Sequence, residues 1–337
     1  MNIVNGPLDD LELASSPYRY TSEGDLGTLD DSIADVGLLQ PPIAAKGQTG
    51  RLIVVAGFRR VRACRRLGWR QAPVHVLPEL PPGQIFKIGI LSNACHRRLD
   101  PLECGRLCLS IQRHLTMEAA GIAQMFLPLM GQPSTLERLQ LLSALPSLPE
   151  LLWPWLATEA FPLKNVPGLL RFQPEDQTRL ASVMVTFRLS SSRQREFLQQ
   201  VWDVHRRDVR PVPGILKAIG ALAPTEPGQD LPRICESICV ALHRLAFPNL
   251  ARHETAFKEA SRPFERIPGV RLQPFPFFEK SECRLELVFD SPAALNFALL
   301  ELSSPQVERA ALDLFDDDNR RAHHRGETGN TGKRSAE

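Results

Sequence analysis

The chain has 337 residues, 43% of them hydrophobic, and carries 40 Lys and Arg against 38 Asp and Glu for a formal net charge of +2. That length allows two or three domains with cores of their own, and no apolar run approaches the roughly 20 residues that span a bilayer. Seven cysteines, an odd number in a long chain, argue against a secreted disulfide framework. The acidic opening MNIVNGPLDD lacks the basic-then-apolar order of a secretory signal, so an intracellular protein is expected.

Residues 1–25 read as a loose acidic leader. A short helix around Ser32–Val36 stops at Gly37, and a strand starts at Ile43. RLIVVAG is a second strand, RRVRACRRLG a helix ended by Gly68, APVHVL a third strand, and QIFKIGILSNAC a further helix. Short strands alternating with helices predict a small α/β or α+β domain over residues 26–100. Its charge is uneven. Asp9, Asp10, Glu12, Glu23, Asp25, Asp30, Asp31 and Asp35 crowd the first fifty residues, whereas Arg59, Arg60, Arg62, Arg65, Arg66 and Arg70 follow the second strand. A run of arginines is most simply a solvated helix face. Placed directly after a strand and Gly57, it points instead to an anion.

Residues 101–204 show no strong strand signal and predict an all-α domain. PLECGRLCLSIQRHL has helical periodicity. TMEAAGIAQMF follows, with Thr116 as the expected N-cap. After the turn LPLMGQ, Ser134 is the expected cap of the next helix, with Glu137 completing a capping box. Two short helices about a glycine-containing turn predict a helix-turn-helix, although this connection is longer than the usual tight turn. In QPSTLERLQLL the leucines belong to the core, and Gln132, Ser134, Thr135 and Arg138 are the candidate DNA contacts. Arg106, Arg113, Arg171, Arg188, Arg193 and Arg195 offer phosphate contacts, but each is more simply an exposed charge. Two more helices follow within DQTRLASVMVTFRLSSSRQREFLQQVWDVHRR.

Cys104/Cys108 and Cys235/Cys239 are each four apart, on one helix face. With Cys95, His96 and His114 nearby a metal site is conceivable, but the spacing fits no C-x-x-C pattern and buried thiols are the expectation. Residues 205–230, rich in Pro and Gly, read as a linker. Residues 231–315 give two helices (231–246 and 249–265), the strands GVRLQPFPFF and CRLELVFD joined at EKSE, and a helix from Ser291. This is a small α+β module expected to pair two chains. The tail 316–337 lacks an apolar face and is expected to be disordered.

Three segments in order, LDDSIADVGLLQPPI, VVAGFRRVRACRRLG and SNACHRRLDPLECGR, resemble the N-terminal domain of the ParB family of partition proteins. Ser32, Ile33, Gly37, Gln40, Pro42 and Ile43 match its first box. Gly57, Arg59, Arg60, Arg62 and Ala63 match the second, and Asn93, Leu99, Pro101 and Glu103 the third. The resemblance covers about residues 26–204. It implies a ParB/sulfiredoxin-like N-terminal domain followed by a ParB-type helix-turn-helix domain, and a homodimer that binds DNA in chromosome or plasmid partition, with a ParA-type ATPase as partner. It implies CTP, and Mg²⁺ with it, as cofactors. The nucleotide-binding residues it nominates are Ser32, Gly37, Gln40, Gly57, Arg59, Arg60, Arg62, Asn93 and Arg97, with Asn93 also the metal ligand. A cytoplasmic, nucleoid-associated protein follows from the same resemblance.

The departures define the alternatives. Phe58 and Ser92 stand where the family has glutamates, and His96 takes the place of the third box's terminal arginine. A sulfiredoxin reading lacks the catalytic cysteine beside Gly57. Weak or absent CTP hydrolysis is therefore expected. A ParB-fold adaptor or transcriptional regulator without nucleotide turnover is the alternative. A nuclease is disfavoured, because no Asp/Glu/His metal cluster is visible in the sequence.

Overall fold

The computed structural model describes residues 2–21, 27–47, 50–222, 229–274, 282–312 and 314. The chain forms two compact units, Met1–Gln199 and Gln200–Glu337.

The first unit opens with a mixed five-stranded sheet. Its strands are β1 (Asn2–Pro7), β2 (Leu11–Glu12), β3 (Ile43–Lys46), β4 (Leu52–Ala56) and β5 (Gln71–Val76), in the spatial order β1-β5-β3-β4-β2. β1 runs antiparallel to β5, and β3 antiparallel to β4; β3 with β5 and β2 with β4 are parallel. The register of β3 on β4 slips between Ile43 and Ala44. Val54, Val55 and Ala56 are all buried, so β4 is covered on both faces, as an uninterrupted apolar run requires. Helix α3 (Pro82–Ala94) packs on β4, and helices α1 (Gly27–Val36) and α2 (Phe58–Arg66) pack on each other. α3 lies close enough that a Cβ on Gly89 would stand 3.3 Å from the Val55 carbonyl oxygen.

The expected leader is corrected. Residues 2–12 contribute the two edge strands, and Leu8, Leu11, Leu13, Tyr18 and Tyr20 are buried. The Leu8 N–H bonds the Arg70 carbonyl at 2.9 Å. The Arg65 guanidinium donates to the carbonyls of Leu8 (2.5 Å) and Leu11 (2.9 Å). The N-terminal domain therefore begins at residue 2 rather than 26. The last part of the expected leader, residues 22–25, lies outside the described residues.

Helices follow: α4 (Pro101–His114), α5 (Ala119–Phe126), α6 (Leu136–Ala144), α7 (Trp153–Ala157), α8 (Val166–Leu170), α9 (Pro174–Thr186) and α10 (Ser191–Asp208). α4 starts on a full capping box: Asp100 accepts from the Glu103 N–H at 2.8 Å, and Glu103 accepts from the Asp100 N–H at 3.2 Å. Gly105 lets α4 cross α6, because a Cβ there would collide with the Leu142 carbonyl. Leu139 and Leu142 of α6 are fully buried beside Leu107 and Ile111 of α4. Two expected caps are corrected. α5 is preceded by Glu118 with no side-chain cap, and α6 is capped by Thr135 rather than Ser134, the Thr135 hydroxyl accepting from the Arg138 N–H at 3.2 Å. Extended backbone at Thr135 (φ −112°, ψ 154°) aims its side chain at that N–H.

In the second unit the expected linker 205–230 is helical over residues 205–208 and 212–218. α10 continues to Asp208, and α11 (Val212–Ala218) buries Val212, Ile215 and Leu216. The prolines that read as a linker sit at Pro211, the N-cap, and Pro213 within the first turn, where proline starts helices. Residues 223–228 lie outside the described residues. α12 (Leu231–Ala246) and α13 (Pro248–Glu265) follow, and Arg207 caps the end of α12 by donating to the carbonyls of Leu245 (2.8 Å) and Ala246 (2.5 Å). Strands β6 (Val270–Pro274) and β7 (Cys283–Leu287) pair antiparallel, from Val270↔Leu287 to Pro274↔Cys283. Most of the expected EKSE turn lies outside the described residues, as does the expected disordered tail. Helix α14 (Pro292–Leu302), N-capped by Ser291, packs Ala298 against Phe264, Ile267 and Val270, and residues 305–312 are helical as well.

Candidate nucleotide and nucleic-acid sites

β4 ends at Ala56, and Gly57 turns the chain into α2 with φ 89°, ψ 25°. That left-handed conformation suits glycine. Space enforces the choice as well, since a Cβ at Gly57 would stand 3.0 Å from Cα and Cβ of Pro42. The β4–α2 turn is thereby pressed onto the segment that enters β3. Arg60, one turn into α2, closes the same contact: its guanidinium donates to the Gln40 carbonyl at 2.6 Å and lies 3.5 Å from Gln40 Oε1 and the Pro41 carbonyl. Burial lowers the Arg60 pKa. Among the described residues no carboxylate pairs with it. A half-buried cation that reaches only neutral oxygens, beside the unpaired N–H groups of a helix start, is set up to receive an anion.

The rest of the arginine run has other employment. Arg66 pairs with Asp30 of α1, and Arg65 holds the Leu8 and Leu11 carbonyls. Arg59 is exposed and Arg62 half-buried on α2. Ser32 is exposed on α1. Gly37 terminates that helix at φ 82°, its N–H on the Ile33 carbonyl at 3.0 Å. Of the nominated nucleotide residues, the structure therefore joins Gln40, Gly57 and Arg60 by direct contact. Phe58, which replaces the family's glutamate, is buried in the core.

Asn93 lies on α3, one turn beyond Gly89. Its amide donates to Tyr20 Oη (2.8 Å) and to the Gly89 carbonyl (3.2 Å), while Tyr20 itself donates to that carbonyl at 3.0 Å. Burial pushes the Tyr20 pKa up to about 12, so the phenol stays neutral. Ser92 donates back to the Ile88 carbonyl at 2.6 Å. Mg²⁺ is usually held by one or two carboxylates together with phosphate and water. Here Asn93 offers a single neutral oxygen, and no group of three His, Cys, Asp or Glu converges among the described residues. The donor set does not fit a metal held by the protein alone.

Arg97 makes a bidentate pair with Glu103, 2.6 Å and 2.7 Å, and this hydrogen-bonded partner raises its pKa. Glu103 is 3% exposed. Arg97 thus reinforces the capping box of α4 through Glu103. Tyr20 and Glu103, which orient Asn93 and Arg97, were not among the nominated site residues. The signal available was that Tyr18 and Tyr20, the chain's two tyrosines, alternate like strand residues inside a segment read as a leader. Cys104 and Cys108 are fully buried, and burial pushes both thiols up to about 12, which suits packing rather than metal binding.

The candidate DNA contacts cluster at the start of α6. Ser134 and Thr135 are exposed, Gln132 and Arg138 half-buried. Gln132 and Arg138 line a cleft of about 600 Å³ together with Arg98, Asp100 and Glu159. The connection from α5 to α6 spans residues 127–135 and includes a 3₁₀ turn, Pro128–Met130, and Gly131 at φ 69°. Among the described residues, no helix is long and apolar enough to cross a membrane.

Residues 2–93 match the ParB N-terminal domain family. The chromosome-partitioning protein ParB of Caulobacter vibrioides is 37% identical over 89 residues, 26% of this chain and 29% of that protein. Stage 0 sporulation protein J of Bacillus subtilis is 31% identical over 116 residues, 34% and 40% of the two chains. The matched segment thus spans well under half of these curated relatives. A truncated ParB from Caulobacter crescentus complexed with CTP-γ-S aligns at TM-score 0.26 and 24% identity over 55% of this chain and 99% of that one. The same protein complexed to the centromeric parS site aligns at 0.34 and 23%, over 58% and 99%. TM-scores this low carry no argument. The sheet, the β4–α2 turn and all but the last residue of α3 fall within residues 2–93, the segment that matches the ParB N-terminal domain.

Proposed function

We propose that this chain is a DNA-binding protein of chromosome or plasmid partition whose N-terminal domain binds CTP at the β4–α2 turn. The observation that carries the reading is Arg60, a half-buried cation beside Gly57 whose partners among the described residues are the neutral oxygens of Gln40 and Pro41. A triphosphate at that turn meets the α2 start, Gly57 and Arg60, with Arg59 and Arg62 adding charge and with Ser32, Gly37 and Gln40 on the facing segment. The match of residues 2–93 to the ParB N-terminal domain, and the names of the relatives that share it, support the partition reading. Asn93 and Tyr20 order the adjoining end of α3. Arg97 contributes by positioning α4.

CTP turnover is expected at background. Ser92 is bonded to its own helix and a hydroxyl does not act as a general base near neutral pH, while buried Phe58 offers no ionisable group. The same two features favour a second reading, an adaptor or regulator that keeps nucleotide binding and DNA contact without hydrolysis. DNA contact is assigned to Gln132, Ser134, Thr135 and Arg138. A homodimer is assigned to the second unit, whose α14 exposes Phe297, Leu299 and Leu300. A cytoplasmic, nucleoid-associated location and a ParA-type ATPase partner follow from the family. Sequencing the DNA crosslinked to the protein in its host tests the reading. Enrichment at a few discrete sites supports it, and a flat profile equal to an untagged control contradicts it.

A further inference from the structure

We propose that a basic groove at the C-terminal end of α6 is a second contact for the phosphodiester backbone of nucleic acid. The proposal deepens the DNA-binding reading above and rests on it. The groove holds about 500 Å³ and is lined by Arg19, Arg106, Arg113 and His114, with Ser110 and Ser147 among them and no carboxylate. Arg106, Ser110, Arg113 and His114 recur at i, i+4, i+7 and i+8, so one face of α4 forms its floor.

The groove is held in shape from within. The Ser110 hydroxyl donates to the Pro17 carbonyl and ties the segment after β2, which carries Arg19, onto α4. The Arg106 guanidinium lies 4.9 Å over the Trp153 ring, which fixes its plane while leaving its charge uncompensated. Among the described residues neither Arg106 nor Arg113 has a carboxylate partner. Compare Arg66, Arg97 and Arg179, which pair with Asp30, Glu103 and Asp176.

Position separates this groove from the candidate recognition residues. Pro146 and Ser147 lie just past α6, whereas Thr135 caps its start. Nine helical residues place the two ends about 13 Å apart. Along α4, the seven-residue step from Arg106 to Arg113 covers about 10 Å, more than one phosphate at about 3.4 Å of axial rise per strand. A row of cations that long, in an open groove, suits successive phosphates better than one small anion.

The test uses the full chain and a short duplex of arbitrary sequence, titrated by fluorescence anisotropy over a range of salt. Replacing both arginines (Arg106→Gln with Arg113→Gln) is expected to reduce the slope of log affinity against log salt by about 2, near 0.9 per lost phosphate contact. Arg113→Lys is expected to keep the slope. Arg113→Gln alone, at an exposed position, is expected to lower it by about 1, and serves if the double variant does not fold. An unchanged slope in a wild type that binds DNA overturns the groove alone. A wild type with no affinity for any duplex overturns the groove and the DNA-binding reading together. If the double variant loses tripolyphosphate binding while its DNA slope is unchanged, the groove is a small-anion pocket and the nucleic-acid assignment is overturned.

Discussion

The arginines of α2 and the polar residues at the start of α6 were nominated for the same task, holding an anion, and the structure treats them oppositely. On α2 most of the charge is spent on the protein itself: Arg65 on two carbonyls, Arg66 on Asp30, and Arg60 on the segment before β3. At α6, Ser134 and Thr135 are exposed and Gln132 and Arg138 half-buried, and the Thr135 hydroxyl is committed to its own helix. Density of positive charge is therefore a poor guide to where an anion binds. The better guide is a cation that is partly desolvated and lacks a counter-charge among the described residues, which selects Arg60 from its run and Arg106 from α4.

Arg97 gives the sharpest contrast, because the family resemblance makes it a ligand and its geometry makes it a strut. Arg97→Ala leaves the Glu103 carboxylate buried with only the Asp100 N–H as partner, and is expected to lower stability by about 3 kcal/mol in urea unfolding. CTP affinity reduced at full stability would return Arg97 to the nucleotide site. Gly57→Ala is expected to cost about 2 kcal/mol from the left-handed backbone, and more if Pro42 cannot shift. Loss of nucleotide binding beyond that seen in an equally destabilised core variant would separate the cradle from general unfolding.

The buried thiols supply a test by pH. Cys104 and Cys108 stay protonated in the folded state up to about 12, while unfolded thiols ionise near 9. Their contribution is complete below pH 9 and is lost as pH rises toward 12, at about 1.4 kcal/mol per pH unit for each. Unfolding curves at pH 8, 9.5 and 10.5 measure this, and Cys108→Ala should flatten the fall. Stability that does not decline over that range would show both thiols to be solvated. At α6, Arg138→Ala is expected to reduce discrimination between DNA sequences by about 1 kcal/mol, with little change in total binding. A uniform loss over all sequences would make Arg138 a phosphate contact.

The order β3, β4, α2, β5, α3 was legible because apolar runs and glycines punctuate it, and Leu139 and Leu142 were legible as core from helical spacing. The two edge strands, β1 and β2, were not. Leu8, Leu11 and Leu13 follow neither a helix nor a strand period, and Asp9 and Asp10 between them lie on a 3₁₀ turn with their charges in water. The helix at Val212–Ala218 was hidden by prolines that also serve as helix starts. Within the candidate site the boxes located Gly57, Arg60 and Gln40, but the partners that decide each role are remote in sequence or are backbone atoms. Glu103 for Arg97, Tyr20 for Asn93 and the Leu8 carbonyl for Arg65 are tertiary facts that no local pattern encodes.

The measurement that bears most directly on the central claim is calorimetry of the full chain with CTP, with and without Mg²⁺, beside Arg60→Ala. A charged hydrogen-bonding group of this kind contributes about 1.5–3 kcal/mol, so the variant is expected to bind CTP about 10- to 100-fold more weakly than the wild type. Equal affinity in the two proteins, or no heat of binding in either, would contradict the assignment of the β4–α2 turn as a nucleotide site.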